Sequence, residues 1–422
     1  MRKTSALLVG IVILIGNLLA IAQDAASIRV VDCGQKVQSR KRGLCANQLS
    51  AEDFKALAPG VSWFYNWHYE FKDKLPPGIP VEFIPMAWGD RPADLSGLQR
   101  YLSSVPVKPR YILGINEPNL KGQAFIAPKD TARLFRSIKG IGDRNGIPVI
   151  GPNMSLGSAE NDSITAYDPI EKKKLTYTFM MPFLKAFYHE VGDAKVPATS
   201  FHSYGSIGEL RWGVDLLHKE FGCPVWVTEY AEWKAPTPEA ARLYLIQATD
   251  FLERTPYVQG YAWFKERVDG NPKISLFEKA SGKLTPMGEA YVALPPHDAD
   301  LYYRIPGRLQ AENYVHLEKM EIEPTTDTNG VFRMTSTEPN GSLEYNIQVD
   351  SAGTYNIALR VGGQTAKFEI IKDGKVLASA ESTQKDWQTV NASVALPAGA
   401  QTIRVQTAAS FQSINWIEFS KQ

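Results

Sequence analysis

The sequence predicts two domains of different class: a (β/α)8 TIM barrel followed by a C-terminal β-sandwich of the jelly-roll kind, in one multidomain chain. Three observations predict this. Between residues 42 and 264, short β-rich runs alternate with loops and helical stretches, the pattern of a parallel sheet. The runs number eight, and eight such units in about 250 residues have the size of a closed barrel. Beyond residue 303 no long helical pattern remains, and alternating strands are punctuated by Gly, Pro and Asp-Gly turns.

The expected barrel strands are 42–47, 61–67, 81–88, 111–117, 149–155, 198–204, 225–230 and 259–264. Helical periodicity covers 129–145, 208–222 and 238–255 among the intervening stretches. The barrel is therefore expected over 42–293, a stiff connector over 294–303 ("LPPHDADLYY"), and the sandwich over 304–422. All barrel strands end before the connector, so the barrel is expected to fold without the sandwich. Residues 1–22 carry a short basic start (Arg2, Lys3), an apolar run and the triplet Ala20-Ile21-Ala22, the layout of a secretory signal peptide, with an uncleaved anchor as the alternative. The mature chain is expected outside the cytoplasm, with no membrane association once the signal is removed.

Lys+Arg number 46 against 45 Asp+Glu, so no basic excess points to nucleic acid or an anionic membrane as partner. A monomer is expected. Of the three cysteines, Cys33 and Cys45 could pair across a short loop, leaving Cys223 as a buried small hydrophobe; their spacing fits no zinc motif.

The fourth strand, "YILGINEPN", ends in Asn116 and Glu117 before Pro118, and the seventh, "VWVTEY", in Glu229. In such a barrel the carboxyl ends of the strands share one rim, which brings these glutamates to opposite sides of one cleft. Two facing carboxylates are what glycosidic bond cleavage needs: one protonated, to donate to the leaving oxygen, the other ionised. Asn116 could hydrogen-bond a sugar hydroxyl. Rim aromatics Trp63, Trp67, Trp88, Tyr204, Trp233 and Trp263 could stack on pyranose faces, and His202 ends the sixth strand beside them.

The words "KRGLCAN", "GINEPN", "FHSYG", "WVTEYA" and "GYAWF", in this order, closely resemble glycoside hydrolase family 128, over about residues 42–293. That resemblance implies a retaining clan A endo-β-1,3-glucanase acting on laminarin- or curdlan-type β-glucan without a catalytic cofactor, with Glu117 as acid/base and Glu229 as nucleophile. Residues 304–422 resemble carbohydrate-binding modules of family 6 or its relative family 35, through "RIPGRLQAENY" and "SINWIEF". By that similarity Gln310, Glu312 and Asn415 would hold a structural calcium, and Phe332 and Trp387 would be sugar platforms. Ser413 stands where many relatives carry Asn. Mixed-linkage glucan or xylan as substrate, and a non-catalytic glucan-binding protein, remain the alternatives.

Overall fold

A computed structural model describes residues 28–73 and 75–422, so the export signal expected at 1–22 lies outside the described residues. In chain order the N-terminal half comprises strands β1 (Arg29–Asp32), β2 (Arg42–Cys45), β3 (Trp63–Tyr65), β4 (Glu82–Phe83), β5 (Met86–Ala87), β6 (Ile112–Gly114), β7 (Val149–Ile150), β8 (Asn153–Ser155), a hairpin β9 (Thr165–Asp168) and β10 (Lys173–Thr176), then β11 (Thr199–Ser203), β12 (Val225–Tyr230) and β13 (Val258–Phe264). Seven helices intervene: α1 (Ala51–Leu57), α2 (Pro92–Ser104), α3 (Pro128–Asn145), α4 (Met180–Val191), α5 (Ile207–Phe221), α6 (Pro238–Arg254) and α7 (Pro286–Ala293). Between β3 and β4 a loop replaces the helix.

Two parallel sheets result, one ordered β4-β3-β2-β13-β12-β11-β8 and the other β5-β6-β7. Phe83 and Met86 flank one interruption, and Gly151-Pro152 makes the other, between β7 and β8. Across the second break the backbone still pairs: Glu117 N–H donates to Asn153 O at 2.7 Å and Asn153 N–H to Ile115 O at 3.0 Å. Each of the eight expected runs overlaps an observed strand, but several strands are shorter, β6 ending at Gly114 and β3 at Tyr65, and β1 and the β9–β10 hairpin lie outside the expected runs. The helices are fixed by local signals, such as the capping box of Ser206 with Glu209 at the start of α5 and left-handed Gly146 and Gly222 after α3 and α5.

Inside the strands Cys45, Trp63, Tyr65, Ile84, Met86, Leu113, Ile150, Ala198, Trp226 and Ala262 form one buried cluster. Trp63 and Trp226 lie 5.3 Å apart there. Both need glycine opposite them: a Cβ on Gly43 would sit 2.2 Å from Trp63, and one on Gly260 2.5 Å from Trp226. The helices cover the outer face through a separate apolar layer.

The C-terminal half contains β14 (Leu301–Ile305), β15 (Gly307–Gln310), β16 (His316–Glu318), β17 (Met320–Pro324), β18 (Phe332–Ser336), β19 (Gly341–Val349), β20 (Gly353–Gly363), β21 (Lys367–Lys372), β22 (Lys375–Glu381), β23 (Gln388–Leu396), β24 (Gly399–Thr407) and β25 (Gln412–Lys421). One sheet runs β1-β14-β19-β24-β21-β22 with β16 on β19; the other runs β17-β18-β25-β20-β23 with β15 on β25. Strand β1 therefore belongs to the sandwich, pairing in parallel with β14 from Arg29↔Leu301 to Asp32↔Arg304.

This pairing changes the expected connector, because Leu301–Ile305 is already strand and 294–300 is docked at both ends. The His297 ring stacks on Tyr314 at 4.0 Å, donates from Nδ1 to Tyr314 O at 2.8 Å, and meets Asp250 Oδ1 through Nε2 at 3.1 Å. The Tyr314 hydroxyl donates to the same Asp250 oxygen. Arg42, buried beneath the strands, donates to Leu294 O at 2.8 Å and to Glu253 at 2.7 Å. Cys33 and Cys45 are both free: Cys33 follows β1 into the sandwich and donates to Arg304 O, whereas Cys45 is buried among the parallel strands. The expected pairing fails because the two cysteines belong to different domains.

Burial opposes ionisation of Asp250, but His297, Arg254 and Tyr314 outweigh it and hold its carboxyl below the usual range. A depressed carboxyl stabilises the fold above its unfolded pKa of about 3.9 and loses that contribution as pH falls through the folded value. Asp250→Asn should cost about 1–3 kcal/mol at neutral pH in urea unfolding, the difference from wild type fading in acid below pH ~4.

Candidate active site

The strand β6 ends at Gly114, and the chain then leaves extended geometry at once. Ile115 and Glu117 have φ of 55° and 43°. A β-branched residue there is strained, and such outliers persist where surrounding bonds over-determine them. Here Ile115 N–H donates to Ala87 O at 2.8 Å and Asn116 N–H to Trp88 O at 2.8 Å, while Glu117 N–H is tied to Asn153. The result aims the buried Glu117 side chain into the rim.

Glu229 is also buried and is reached from the other side. Its Oε1 accepts from Tyr65 Oη at 3.0 Å and from Trp67 Nε1 at 2.7 Å, and its Oε2 from the Tyr204 hydroxyl. Burial first, and the Glu229 charge among the further causes, push the Tyr65 and Tyr204 phenols well above their ordinary range, so both remain proton donors.

His202 bridges the carboxylates. Its Nδ1 lies 2.9 Å from Glu117 Oε1 and 3.5 Å from Glu229 Oε2. The register shift between Phe201 and His202 on β11 places it opposite Glu229. Its Nε2 is 3.1 Å from Thr228 Oγ1, which donates to Asn153 Oδ1 at 3.0 Å, while Asn153 Nδ2 donates to Gly114 O at 2.8 Å. That chain fixes the ring from behind. Burial disfavours the imidazolium, but Glu229 and Glu117 together overcome it and raise the pKa above the usual 6.5.

The structure brings together Glu117, Glu229, His202, Tyr204 and Trp67. Asn116 stands beside them with Nδ2 bonded to Gln123 at 3.1 Å and a buried Oδ1 that has no protein partner. Trp88 stays at the rim under the Arg91 guanidinium at 4.9 Å, and Trp233 is 41% exposed, 6.2 Å from Tyr204.

Three expected sugar contacts are corrected. Trp63 is buried one layer below Tyr65 and donates to Lys41 O. Trp263 points outward into the layer under the helices, with Nε1 on Ile274 O at 2.8 Å. Phe332 faces the sandwich core. In the catalytic domain their neighbours reach the rim instead: Tyr65 holds Glu229, and Phe264 stands 5.7 Å from Trp67 and 5.4 Å from Tyr204. The places of Tyr65 and Phe264 were missed, because strands buried on both faces carry no polar alternation to mark which side chain turns inward.

In the sandwich, Trp387 is partly exposed against Gly362, and Phe411, 63% exposed, adjoins Gly363 on the same end of β20. Ser413 is buried and hydrogen-bonded to Thr335 at 3.0 Å. Among the described residues no group of three or more His, Cys, Asp or Glu could hold a metal. The oxygens expected for calcium do fit a mixed amide and carboxylate site: Gln310 Oε1, Glu312 Oε2 and Asn415 Oδ1 are buried with no hydrogen-bond partner. Asn415 turns its amide nitrogen to Asp327 and Thr328, and a Cβ on Gly330 would lie 2.0 Å from Asn415 Oδ1. Burial first, with the Asp250 charge adding to it, pushes the Glu312 carboxyl up to about 8.

A pair of buried carboxylates at a strand-end cleft, joined to a sandwich of carbohydrate-binding type, defines a glycoside hydrolase. The glycosyl hydrolase catalytic core model matches residues 43–291, and the family 6 carbohydrate binding module model matches residues 310–421. The chain is similar to a solved family 128 (subgroup II) endo-β-1,3-glucanase from Pseudomonas viridiflava: 32% identity over 62% of this chain and 100% of that one, TM-score 0.54. A second structure, a subgroup II endo-β-1,3-glucanase from Sorangium cellulosum, is 28% identical over 61% of this chain and all of that one, TM-score 0.52. No curated protein matches the chain. The chain thus belongs to the glycosyl hydrolase catalytic core family, of the family 128 type, with a carbohydrate-binding module behind the catalytic domain.

Because the folded His202 pKa is raised, the stability that its charge supplies is full below the unfolded value of about 6.5 and is lost as pH rises through the folded one. The melting temperature of His202→Gln should fall furthest below wild type in acid, and the gap should narrow as pH is raised above ~7.

Proposed function

We propose that the chain is an exported, monomeric, retaining endo-β-1,3-glucanase whose module targets it to β-glucan, and that its two parallel sheets compose one (β/α)8 barrel. The barrel reading rests on the run of parallel neighbours: β2 pairs with both β3 and β13, and β6 reaches β8 through the Asn116↔Asn153 bridge. The β-1,3 linkage rests on the activity named for the two similar glucanases. Export rests on the pattern at 1–22. Among the described residues no helix is long and apolar enough to cross a membrane.

One observation carries the mechanism. Because both carboxylates approach the same His202 nitrogen, at 2.9 Å and 3.5 Å, Glu117 Oε1 and Glu229 Oε2 are at most about 6.4 Å apart. Inverting glycosidases keep their carboxyl groups roughly 6.5–9.5 Å apart to admit a water, so the close pair favours double displacement. Glu229, held by Tyr65, Trp67 and Tyr204, attacks the anomeric carbon while Glu117 gives its proton to the leaving oxygen. Glu117 then takes a proton from the water that releases the sugar. His202 orients Glu117 and offsets the charge of Glu229 during both steps.

Incubation with laminarin, curdlan, barley glucan and xylan, followed by product identification, tests the reading. Laminari-oligosaccharides released first as β-anomers are expected. Initial α-anomers would rule out Glu229 as nucleophile, and no product from any glycan would overturn the enzyme. With an activated aryl glycoside, Glu117→Ala should be rescued by azide to a β-glycosyl azide, and Glu229→Ala to the α-azide; swapped anomers would exchange the two roles.

Calcium, held by Gln310, Glu312 and Asn415, would supply charge and ligation within the sandwich and take no part in hydrolysis. EDTA should lower the melting temperature of the whole chain, an effect absent in Glu312→Gln, while kcat on soluble oligosaccharide stays within about twofold of its starting value. A proportional collapse of turnover would place the metal in the catalytic cleft.

A further inference from the structure

Trp212 lies on α5 outside the catalytic constellation and is 49% exposed, a large apolar surface for a soluble face to carry. Its ring is stacked on Phe179, with centroids 5.5 Å apart and planes 21° from parallel. Phe179 is itself fixed by backbone, since it bridges to Gly157, and the flanking Ser158 and Met180 N–H groups donate to Thr178 O and Leu156 O. The pair is a rigid platform.

The platform shares a cleft of about 700 Å³ with the reaction centre, for the same cleft is lined by His202 and Tyr204 at one part and by Phe179 and Trp212 at another. Ser155, Glu232 and Lys234 also line it and offer groups for sugar hydroxyls. Glu209 is less free, being engaged with Ser206 N–H at 2.9 Å.

Position around the strands says which end of a glycan this cleft takes. Phe179 follows β8 and Trp212 follows β11, the strands that come after β6 in the ring, and β6 carries Glu117. Two of the three donors on Glu229, Tyr65 and Trp67, come from β3 on the far half, and the third, Tyr204, stands at the inner end of this cleft. The leaving group departs on the side of the acid that protonates it.

We propose that Phe179 and Trp212 form a stacking subsite for a glycosyl ring of the leaving group, beyond the scissile bond. The inference rests on the hydrolase reading above and extends it to a binding position. A pyranose would set its C–H face on the Trp212 indole while Glu232, Lys234 and Ser155 meet its edge.

The test compares kcat/KM on laminarihexaose with kcat/KM on an aryl β-laminaribioside, whose leaving group is one small ring. In Trp212→Ala the ratio of the two should fall about 10-fold, mainly through KM for the hexaose, and Trp212→Phe should recover part of it. Reducing-end-labelled hexaose should also be cut with shorter labelled fragments, because long leaving groups lose their hold. An unchanged ratio with an unchanged cleavage frame would overturn the subsite. An equal fall on both substrates would place Trp212 in support of the centre and overturn it too. Wild-type enzyme that ignores laminarihexaose but cleaves cello- or xylohexaose would instead refute the β-1,3 assignment, and the same ratio measured with that hexaose and its aryl glycoside would decide the shelf.

Discussion

Two carboxylates buried within hydrogen-bond reach of one imidazole are the constraint on which the catalytic half is built. An ionised carboxylate loses several kcal/mol of hydration when water is removed, and a second one nearby adds repulsion. The fold answers with donors at fixed points: two phenols and an indole on Glu229, and the His202 ring between Glu229 and Glu117. The donors come from two strand ends and the residues that follow them, Tyr65 and Trp67 from β3 and His202 and Tyr204 from β11. The strands must therefore be held in register for the charges to be tolerated at all, and the same rigidity makes the site competent for chemistry that depends on preorganised groups.

Register, in turn, is held by what lies below. Trp63 and Trp226 fill the space inside the strands only because Gly43 and Gly260 carry no Cβ. Above that layer Thr228 and Asn153 form a polar floor, whose bonds run from His202 through to the Gly114 carbonyl at the end of β6. The strained turn at Ile115 and Glu117 is thus anchored on both sides, by backbone to Ala87 and Trp88 and by side chain to Asn153. Large aromatics pack, small polar groups orient, and only then do the charged groups appear.

The same layering explains what could and could not be read from the chain. Glu117, Glu229 and His202 were legible because Asn, Glu, Pro and Thr interrupt apolar runs where strands stop. The tryptophans were harder. A strand covered on both faces shows no polar alternation, so "GYAWF" gives no sign that Trp263 turns to the helices and Phe264 to the rim, and Trp63 looks like Trp67 until depth is known. Phe332 failed for the matching reason in the sandwich. Trp212 was hidden inside a helical run, where an aromatic reads as core. Strand β1 could not be seen either, since its partner β14 lies some 270 positions away and no short-range pattern marks the pairing.

That distant pairing alters how the two domains are to be understood. A carbohydrate-binding module on a free tether raises the local concentration of enzyme at a surface but leaves the cleft to find its own orientation. Here the first described strand enters the sandwich, the chain then builds the whole catalytic domain, and it returns to the sandwich beside that strand. His297, Tyr314 and Asp250 close the seam with stacked and hydrogen-bonded contacts, and Arg42 joins the floor of the strands to Leu294. The pocket lined by Gln310, Glu312 and Gly330 is also lined by residues 34–37 and 292–295, so two of the three residues expected for calcium border the seam. Cutting the chain at Pro295 would strip β1 of its partner and expose that surface. The sandwich is thereby joined to the catalytic domain by packed contacts as well as by chain, and any glycan surface it carries is presented in a fixed direction relative to the cleft.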